Sequence, residues 1–512
     1  MKKLFKALAV ITSFSVLTRA LGFFFRIFLS RMVGAEGLGI YQIAFSVFMV
    51  LETFISSGLP LVVSKKISEF ETKGDKKGGY KAVTSALLIG ICTSLVICGI
   101  VFMFRNLLSS IFTDTRCTVI LLILLPSLVF STVYSILRGS LWGKKQYFLV
   151  SLTEFIEQII RIAFTVLFLA ILSFSLEKVF LASISYTISC IVSSILVLLL
   201  YFKRGGRFSC PRGNIKPIIK SSLPITIVRV VSSLLTPLIS VIIPLQLVNI
   251  GYSNDQALAI FGVAMGMTFP LLYVPSTVIG ALSTTLIPDL SSAVFTQKYD
   301  EIKSKVHFSI KFAIFVSFIF IPLFFSLGGP IGMFFYNNAD SGYFLSYSSF
   351  LVLPICLSGV TVSCLNALNL EVKSFINYLI GAIALVICIV FFTTKLGVLS
   401  LVWGMACCLG GASMLNIVML NKFLGDNFFN LKYLTLTILS SLASLLMSRW
   451  IYNLCKNIFP MFISLALACI IATIFYLIFG LLFNLFKFSF TDFKKVIIKK
   501  NSIKHTKKMH KI

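Results

Sequence analysis

Three observations predict an all-α polytopic membrane protein. They are long uninterrupted apolar runs, very few charged side chains, and a one-sided placement of lysine and arginine. Of 512 residues, 58% are hydrophobic and only 12% charged. Soluble domains carry roughly 25% charged residues, so this chain could not cover a water-facing surface. The mean hydropathy is +1.00. That excludes intrinsic disorder, which needs low hydrophobicity. Runs such as Leu121–Leu125 and Ile195–Tyr201 are continuous. A transmembrane β-barrel would instead alternate apolar and polar residues. With ~20 residues per span, the length accommodates about fourteen helices.

The spans are placed in order as follows. The first, 7–30, follows Lys2, Lys3 and Lys6 and superficially resembles a signal peptide. Arg19 interrupts its apolar stretch and no small-residue cleavage pattern follows, so it reads as a retained span. A tight loop at Gly34-Ala-Glu-Gly-Leu-Gly39 leads into 38–63. Segments 82–104, 118–138, 149–172 and 179–202 complete a six-helix bundle, residues 1–203. The next segment, 218–245, holds Pro224, Pro237 and Pro244 and reads as a bent helix, tolerable where neighbours satisfy the freed backbone. Segments 257–287, 306–327, 344–368, 376–392 and 398–420 complete a second bundle, residues 204–420. Two extra helices, 433–451 and 461–486, occupy 421–486, and a basic tail fills 487–512.

With the N-terminus inside, 34 of the 45 lysines and arginines fall in inner segments and seven in outer ones. Such asymmetry orients membrane proteins and places both termini in the cytoplasm. The net charge of +28 thus reads mainly as a topology device, with attraction to acidic lipid headgroups as the functional alternative. No aromatic-interleaved basic fold accompanies it, so nucleic acid is not an expected partner. The twelve cysteines lie mostly in apolar runs and read as small buried hydrophobes. Three scattered histidines do not make a metal site.

An internal repeat is legible at an offset of 228, where Leu125/Leu353, Pro126/Pro354, Ser135/Ser363, Leu137/Leu365 and Lys145/Lys373 coincide. A second echo pairs Leu17-Thr-Arg19 with Ile227-Val-Arg229, and a third pairs Gly58-Leu-Pro60 with Leu286-Ile-Pro288. Two pseudo-symmetric six-helix bundles of the same orientation follow from this. In transporters, the substrate path lies between such repeats.

Ionisable residues inside a bilayer are costly and usually face a cavity or a partner. Seven stand out: Arg19, Arg26, Glu52, Glu154, Glu157, Arg161 and Arg229. Arg19 and Arg26 are seven residues apart and share a helix face. Together with Arg229 they are the candidate substrate-binding residues. Guanidinium groups suit phosphate because they stay charged and donate paired hydrogen bonds. The bland alternative is snorkelling to the interface, or pairing with glutamates. Glu157 and Arg161 stand in the favourable i, i+4 order for an ion pair. Glu52, Glu154, Glu157 and Arg161 therefore read either as helix-stabilising pairs or as a coupling-ion site in a cavity wall. No phosphate-binding loop or nucleophile constellation points to an enzyme.

Several motifs resemble the polysaccharide-flippase branch of the multidrug/oligosaccharidyl-lipid/polysaccharide exporter superfamily. They are Arg19-Ala-Leu-Gly22, Val33-Gly-Ala-Glu-Gly-Leu-Gly-Ile-Tyr-Gln42, Ser57-Gly-Leu-Pro60 through Ser64-Lys-Lys, Leu137-Arg-Gly-Ser-Leu-Trp-Gly143, Glu157-Gln-Ile-Ile-Arg161, Leu223-Pro-Ile-Thr-Ile-Val-Arg229 and Pro270-Leu-Leu-Tyr-Val-Pro275 through Leu286-Ile-Pro288. The resemblance implies fourteen spans, two six-helix lobes and a central cavity. It also implies an undecaprenyl-pyrophosphate-linked sugar as substrate, lipid II for spore cortex being the first choice. The lipid II flippases of the superfamily depart from this chain in their arginines. Arg26 falls one position late, span two offers Glu52 instead, and the region Thr268–Pro270 has no arginine.

The resulting expectation is a cell-membrane flippase working by alternating access. Its partners are the lipid-linked oligosaccharide, membrane lipids and, further off, cell-wall synthases. No cofactor is expected, and the identity of a coupling cation stays open. One rival is a drug/cation antiporter of the same fold, which would want an acidic cavity. The other is a non-transporting scaffold acting through its basic inner face.

Overall fold

The computed structural model describes residues 2–172, 177–211, 215–428 and 431–483, with side chains from Ser13 onward. The expected tail 487–512 and the end of the last span lie outside the described residues. All described regular structure is helical. Twelve helical stretches are long and apolar enough to cross a membrane. One of these, Ser13–Lys73, contains two of the expected spans. A further long helix, α6 (Tyr147–Leu172), carries Glu154, Glu157 and Arg161. Those two features account for the difference from fourteen.

Helix α1 (Lys2–Ser56) is a helical hairpin rather than a rod. Its backbone leaves helical geometry at Gly34, with φ 80° and ψ 177°, a conformation that glycine adopts without a Cβ clash. The side chains of Arg26 and Gln42, each eight residues from Gly34, meet at 2.8 Å. In a straight helix they would be ~24 Å apart. The expected loop 34–39 is therefore only a one-residue reversal. Ala35 to Gly39 are already helical, and they serve packing. A Cβ on Gly39 would fall 2.1 Å from the Leu258 carbonyl oxygen, and one on Gly262 2.0 Å from that of Ala35. These small residues let two backbones cross in contact.

The chain then breaks at Ser57-Gly58 and resumes as α2 (Leu59–Lys73), with Pro60 in its first turn. Gly74 ends α2 in the left-handed conformation, φ 72°. Asp75 caps α3 (Lys76–Met103) by accepting from the Gly78 amide. A short α4 (Arg105–Ile111) precedes α5 (Thr115–Gly143), which is capped by Asp114 and contains Pro126. After α6 comes α7 (Lys178–Lys203). The proline-rich span 218–245 is two helices, α8 (Ile215–Ser233) and α9 (Leu235–Asn249), divided at Leu234. A Ser253/Gln256 capping box starts α10 (Asn254–Phe261). A π-helical stretch, Gly262–Thr268, follows.

The described helices group into two units. The first runs to Met267 and adds Ile389–Val398. In it, α5 packs on α1, α2, α3 and α7, while α8, α9 and α10 pack on α1. This spatial grouping takes in helices that the sequence repeat assigns to the second lobe.

The second unit comprises Thr268–Cys388 and the chain from Leu399. Its helices are α11 (Phe269–Leu272), α12 (Val274–Phe295), α13 (Tyr299–Tyr336), α14 (Ala339–Ser348), α15 (Val352–Ala367), most of α16 (Glu371–Leu396), α17 (Leu399–Met405), α18 (Gly411–Leu424), α19 (Leu431–Cys455) and α20 (Met461–Leu482). The long α13 is central, contacting α12, α14, α15, α19 and α20. Residues 286–288 lie within α12, so the third sequence echo does not reproduce the helix break at Gly58-Leu-Pro60. Among the described residues, the fully buried polar side chains are Ser, Thr, Asn and Gln, never a charged type. Uncompensated burial of charge is too costly, whereas hydroxyls can bond back to their own helix.

Candidate functional site

All seven charged residues singled out from sequence lie in the first unit. The structure sorts them into three places. Arg26 donates from Nη2 to Gln42 Oε1 across the α1 hairpin at 2.8 Å. Arg19 is exposed and makes no ion pair or hydrogen bond among the described residues. Arg229, on α8, donates from Nη1 to the Ser57 carbonyl oxygen at 3.0 Å. Gln42, on the second arm of α1, and Ser57, just past its end, are fifteen residues apart, about 22 Å along the helix direction. Arg26 and Arg229 therefore sit at different depths and do not converge on one anion.

Glu157 and Arg161 do meet, with Nη2 2.6 Å from Oε1. The one-turn spacing on α6 dictates this contact. The Arg161 guanidinium lies over the Tyr186 ring, 4.7 Å from its centroid. Phe45 stacks on Tyr41 at 5.3 Å and meets Tyr186 edge-on at 5.3 Å. The cation thus rests against an aromatic wall, a favourable desolvated cation–π setting. Its Nε is buried without an acceptor among the described residues. Glu52, on α1, interacts with Ser131 and feels both Glu157 and Arg161. Helices α1, α5, α6 and α7 each contribute to this polar cluster in an otherwise apolar bundle.

Glu154 is held elsewhere. Arg138 on α5 reaches it with Nη2 2.5 Å from Oε2. Arg138 also lies 5.9 Å from the centroid of the Tyr134 ring. Sequence reasoning missed Arg138 as a site residue because it fell at the expected end of a span and was counted as loop charge. Its setting in Leu137-Arg-Gly-Ser-Leu-Trp-Gly143 was the available signal. At the end of the unit remote from the lysine-rich loops, Arg116 Nη2 is 2.7 Å from Glu36, 2.7 Å from Asp114 and 3.3 Å from Asp255. This fork ties α1, α5 and α10 together, and Glu36 and Asp255 lie too far from Arg116 along the chain for their pairing to show in sequence.

The first unit thus holds part-buried ion pairs, and among the described residues arginines without a carboxylate partner, inside an apolar helical bundle. The chain belongs to the polysaccharide biosynthesis protein family, whose model matches residues 4–294. It is similar to stage V sporulation protein B of Bacillus subtilis (strain 168), 24% identical over 390 residues, covering 74% of this chain and 75% of that one. Lipid II flippase MurJ of the same organism is 22% identical over 417 residues, covering 74% and 76%. The fold matches a solved structure of lipid II flippase MurJ in an inward closed conformation, with a TM-score of 0.73. That match is 17% identical and covers 93% of this chain and 98% of the other. The exporter resemblance read from the motifs is borne out, and the protein is a multi-pass membrane protein.

Proposed function

We propose that this protein flips an undecaprenyl-pyrophosphate-linked cell-wall precursor, lipid II for spore cortex peptidoglycan, across the cytoplasmic membrane by alternating access. No covalent chemistry is part of this reading. Both termini lie in the cytoplasm, and a cation gradient or the membrane potential supplies the energy. One elementary charge crossing 100 mV contributes ~2.3 kcal/mol. Cell-wall synthases are the partners that would consume the product. Support comes from the family and from what its relatives are named for.

The observation that carries the reading is the charge balance inside the first unit. Glu154 and Glu157 are already occupied by Arg138 and Arg161. Arg19 and Arg229 have no carboxylate partner among the described residues. An excess of positive charge fits a diphosphate and disfavours the cationic cargo of a drug antiporter.

The test is translocation of fluorescent lipid II in proteoliposomes. The wild type is expected to expose the lipid faster than protein-free vesicles. Arg19→Gln with Arg229→Gln is expected to slow it by about tenfold or more. Truncation after residue 486 is expected to leave transport intact, against the scaffold reading. Translocation no faster than in empty vesicles would overturn the proposal.

A further inference from the structure

Two sequence motifs without an assigned role converge on one pocket of the first unit. Helix α2 is wedged between α5 and α8. A Cβ on Gly139 would lie 2.6 Å from the Pro60 carbonyl oxygen, and one on Gly143 2.6 Å from that of Ser64. On the other flank, a Cβ on Gly58 would lie 2.5 Å from Thr226 Oγ1 and 2.6 Å from the Ser222 carbonyl oxygen. Side chains at these glycines would push the three helices apart, so the first turn of α2 is fixed between its neighbours.

The pocket formed there has a volume of about 280 Å³, and its lining includes Ser57, Ser64, Ser135, Arg138, Trp142 and Arg229. Among the described residues, no carboxylate lines it. Arg138 comes from α5 beside Gly139, and Arg229 from α8 one turn beyond Thr226. The two guanidinium groups therefore flank the start of α2. Arg229 spends one N–H on the Ser57 carbonyl, and Arg138 one on Glu154. Their forks have further donors to offer. The first turn of α2 adds backbone N–H groups that no helical carbonyl can satisfy. Ser57 Oγ is buried and lacks a hydrogen-bond partner among the described residues. Two arginine forks, an unpartnered hydroxyl and a helix start, with no acid on the wall, form a receptor for a phosphate group. Lys65 and Lys144 follow closely in sequence, which puts the pocket at the lysine-rich end of the bundle. Trp142 is 44% exposed there, as befits an indole at the headgroup level.

We propose that Arg138, Arg229 and the first turn of α2 bind the phosphate or diphosphate headgroup of a membrane lipid. Within the flippase reading, on which its physiological role rests, this is where the precursor's diphosphate is first held. Neither Arg19 nor Arg26 lines this pocket.

The test uses the full chain in nanodiscs, with native mass spectrometry and undecaprenyl diphosphate as probe. Phosphatidylglycerol is the second probe and competitor. Arg138→Gln and Arg229→Gln are each expected to weaken binding about tenfold, and the pair more than either. Glu154→Gln breaks the same ion pair as Arg138→Gln but frees a guanidinium, so it is expected to keep or tighten binding. If Glu154→Gln loses binding as Arg138→Gln does, the ion pair acts only as a structural brace and the proposal is overturned. Displacement only by undecaprenyl diphosphate identifies the precursor as the source. Equal displacement by phosphatidylglycerol, still lost in both arginine variants, identifies a bilayer phospholipid. Equal binding by wild type and variants, or none by the wild type, refutes the site. Lipid II translocation that persists in the double variant would leave the flippase reading standing and sink the pocket alone. Binding without translocation in the wild type would do the reverse.

Discussion

Arg161 shows what a single ionisable side chain demands inside an apolar bundle. It has Glu157 one turn away, the Tyr186 face beneath it and a buried Nε with no acceptor among the described residues. Glu157→Gln would leave the cation half-buried and unpaired, a loss on the order of 2 kcal/mol after allowing for the remaining exposure. Adding Arg161→Met should recover much of that stability, because the desolvated charge disappears with its partner. Thermal unfolding of both variants in detergent checks this. A double variant less stable than Glu157→Gln would contradict it. The spacing of Glu157 and Arg161 was legible in sequence. Tyr186 was not, since one tyrosine among sixteen carries no mark of the charge it faces. A milder case lies in the second unit, where His307 Nε2 is 3.2 Å from Asp426 Oδ2. The hydrogen bond with His307 holds the Asp426 carboxyl below its ordinary value, helped by the Asn427 amide. Its stabilising contribution is therefore present above the unfolded-state pKa and is lost as pH falls through the folded one. Asp426→Asn should flatten the acid side of the stability profile, and an unchanged profile would show the contact to be idle.

At the scale of elements, glycine decides how closely helices cross. The run Gly34-Ala-Glu-Gly-Leu-Gly39 reads from sequence as a loop, because three glycines in six residues usually mark one. Only Gly34 turns the chain, whereas Gly39 gives up its side chain so that α1 and α10 can touch. Sequence cannot separate those uses, since the partner residues Leu258 and Gly262 are remote along the chain. Gly39→Ala would set a methyl group against backbone that cannot swing away, costing about 1–3 kcal/mol. Gly99→Ala, inside α3 with nothing within 4 Å, should instead stabilise by roughly 0.5–1 kcal/mol through helix propensity. Melting temperatures of the two variants should move in opposite directions. Equal shifts would mean that the α1–α10 crossing relaxes freely. The proline positions fared better: the expected bend in 218–245 is a true division at Leu234, because each ring removes a backbone donor.

For the whole molecule, the strongest signal is where lysine and arginine fall. The fold of the first unit brings three of the presumed inner segments to one place. Lys76, Lys144 and Arg204 surround a common hollow with Glu71 and Asp75, and Tyr80 Oη donates to the Gly205 carbonyl at 2.7 Å. Residues 71–80, Lys144 and Arg204-Gly205, each from a segment expected inside, thus share an end, as the alternating topology requires. Arg116, Glu36 and Asp255 cluster apart from them. The span count was legible because hydropathy needs no partner information. The pocket at Arg138 was not, because it exists only once α2, α5 and α8 are packed. The orientation yields a direct expectation for intact cells. In a variant lacking native cysteines, Lys77→Cys and Lys144→Cys should react with a membrane-impermeant maleimide only after permeabilisation. Asp255→Cys and Lys456→Cys should react without it. The reverse pattern would turn the molecule over in the membrane. It would place the Arg138–Arg229 pocket at the outer leaflet, where it could receive a lipid after crossing but could not load one for export.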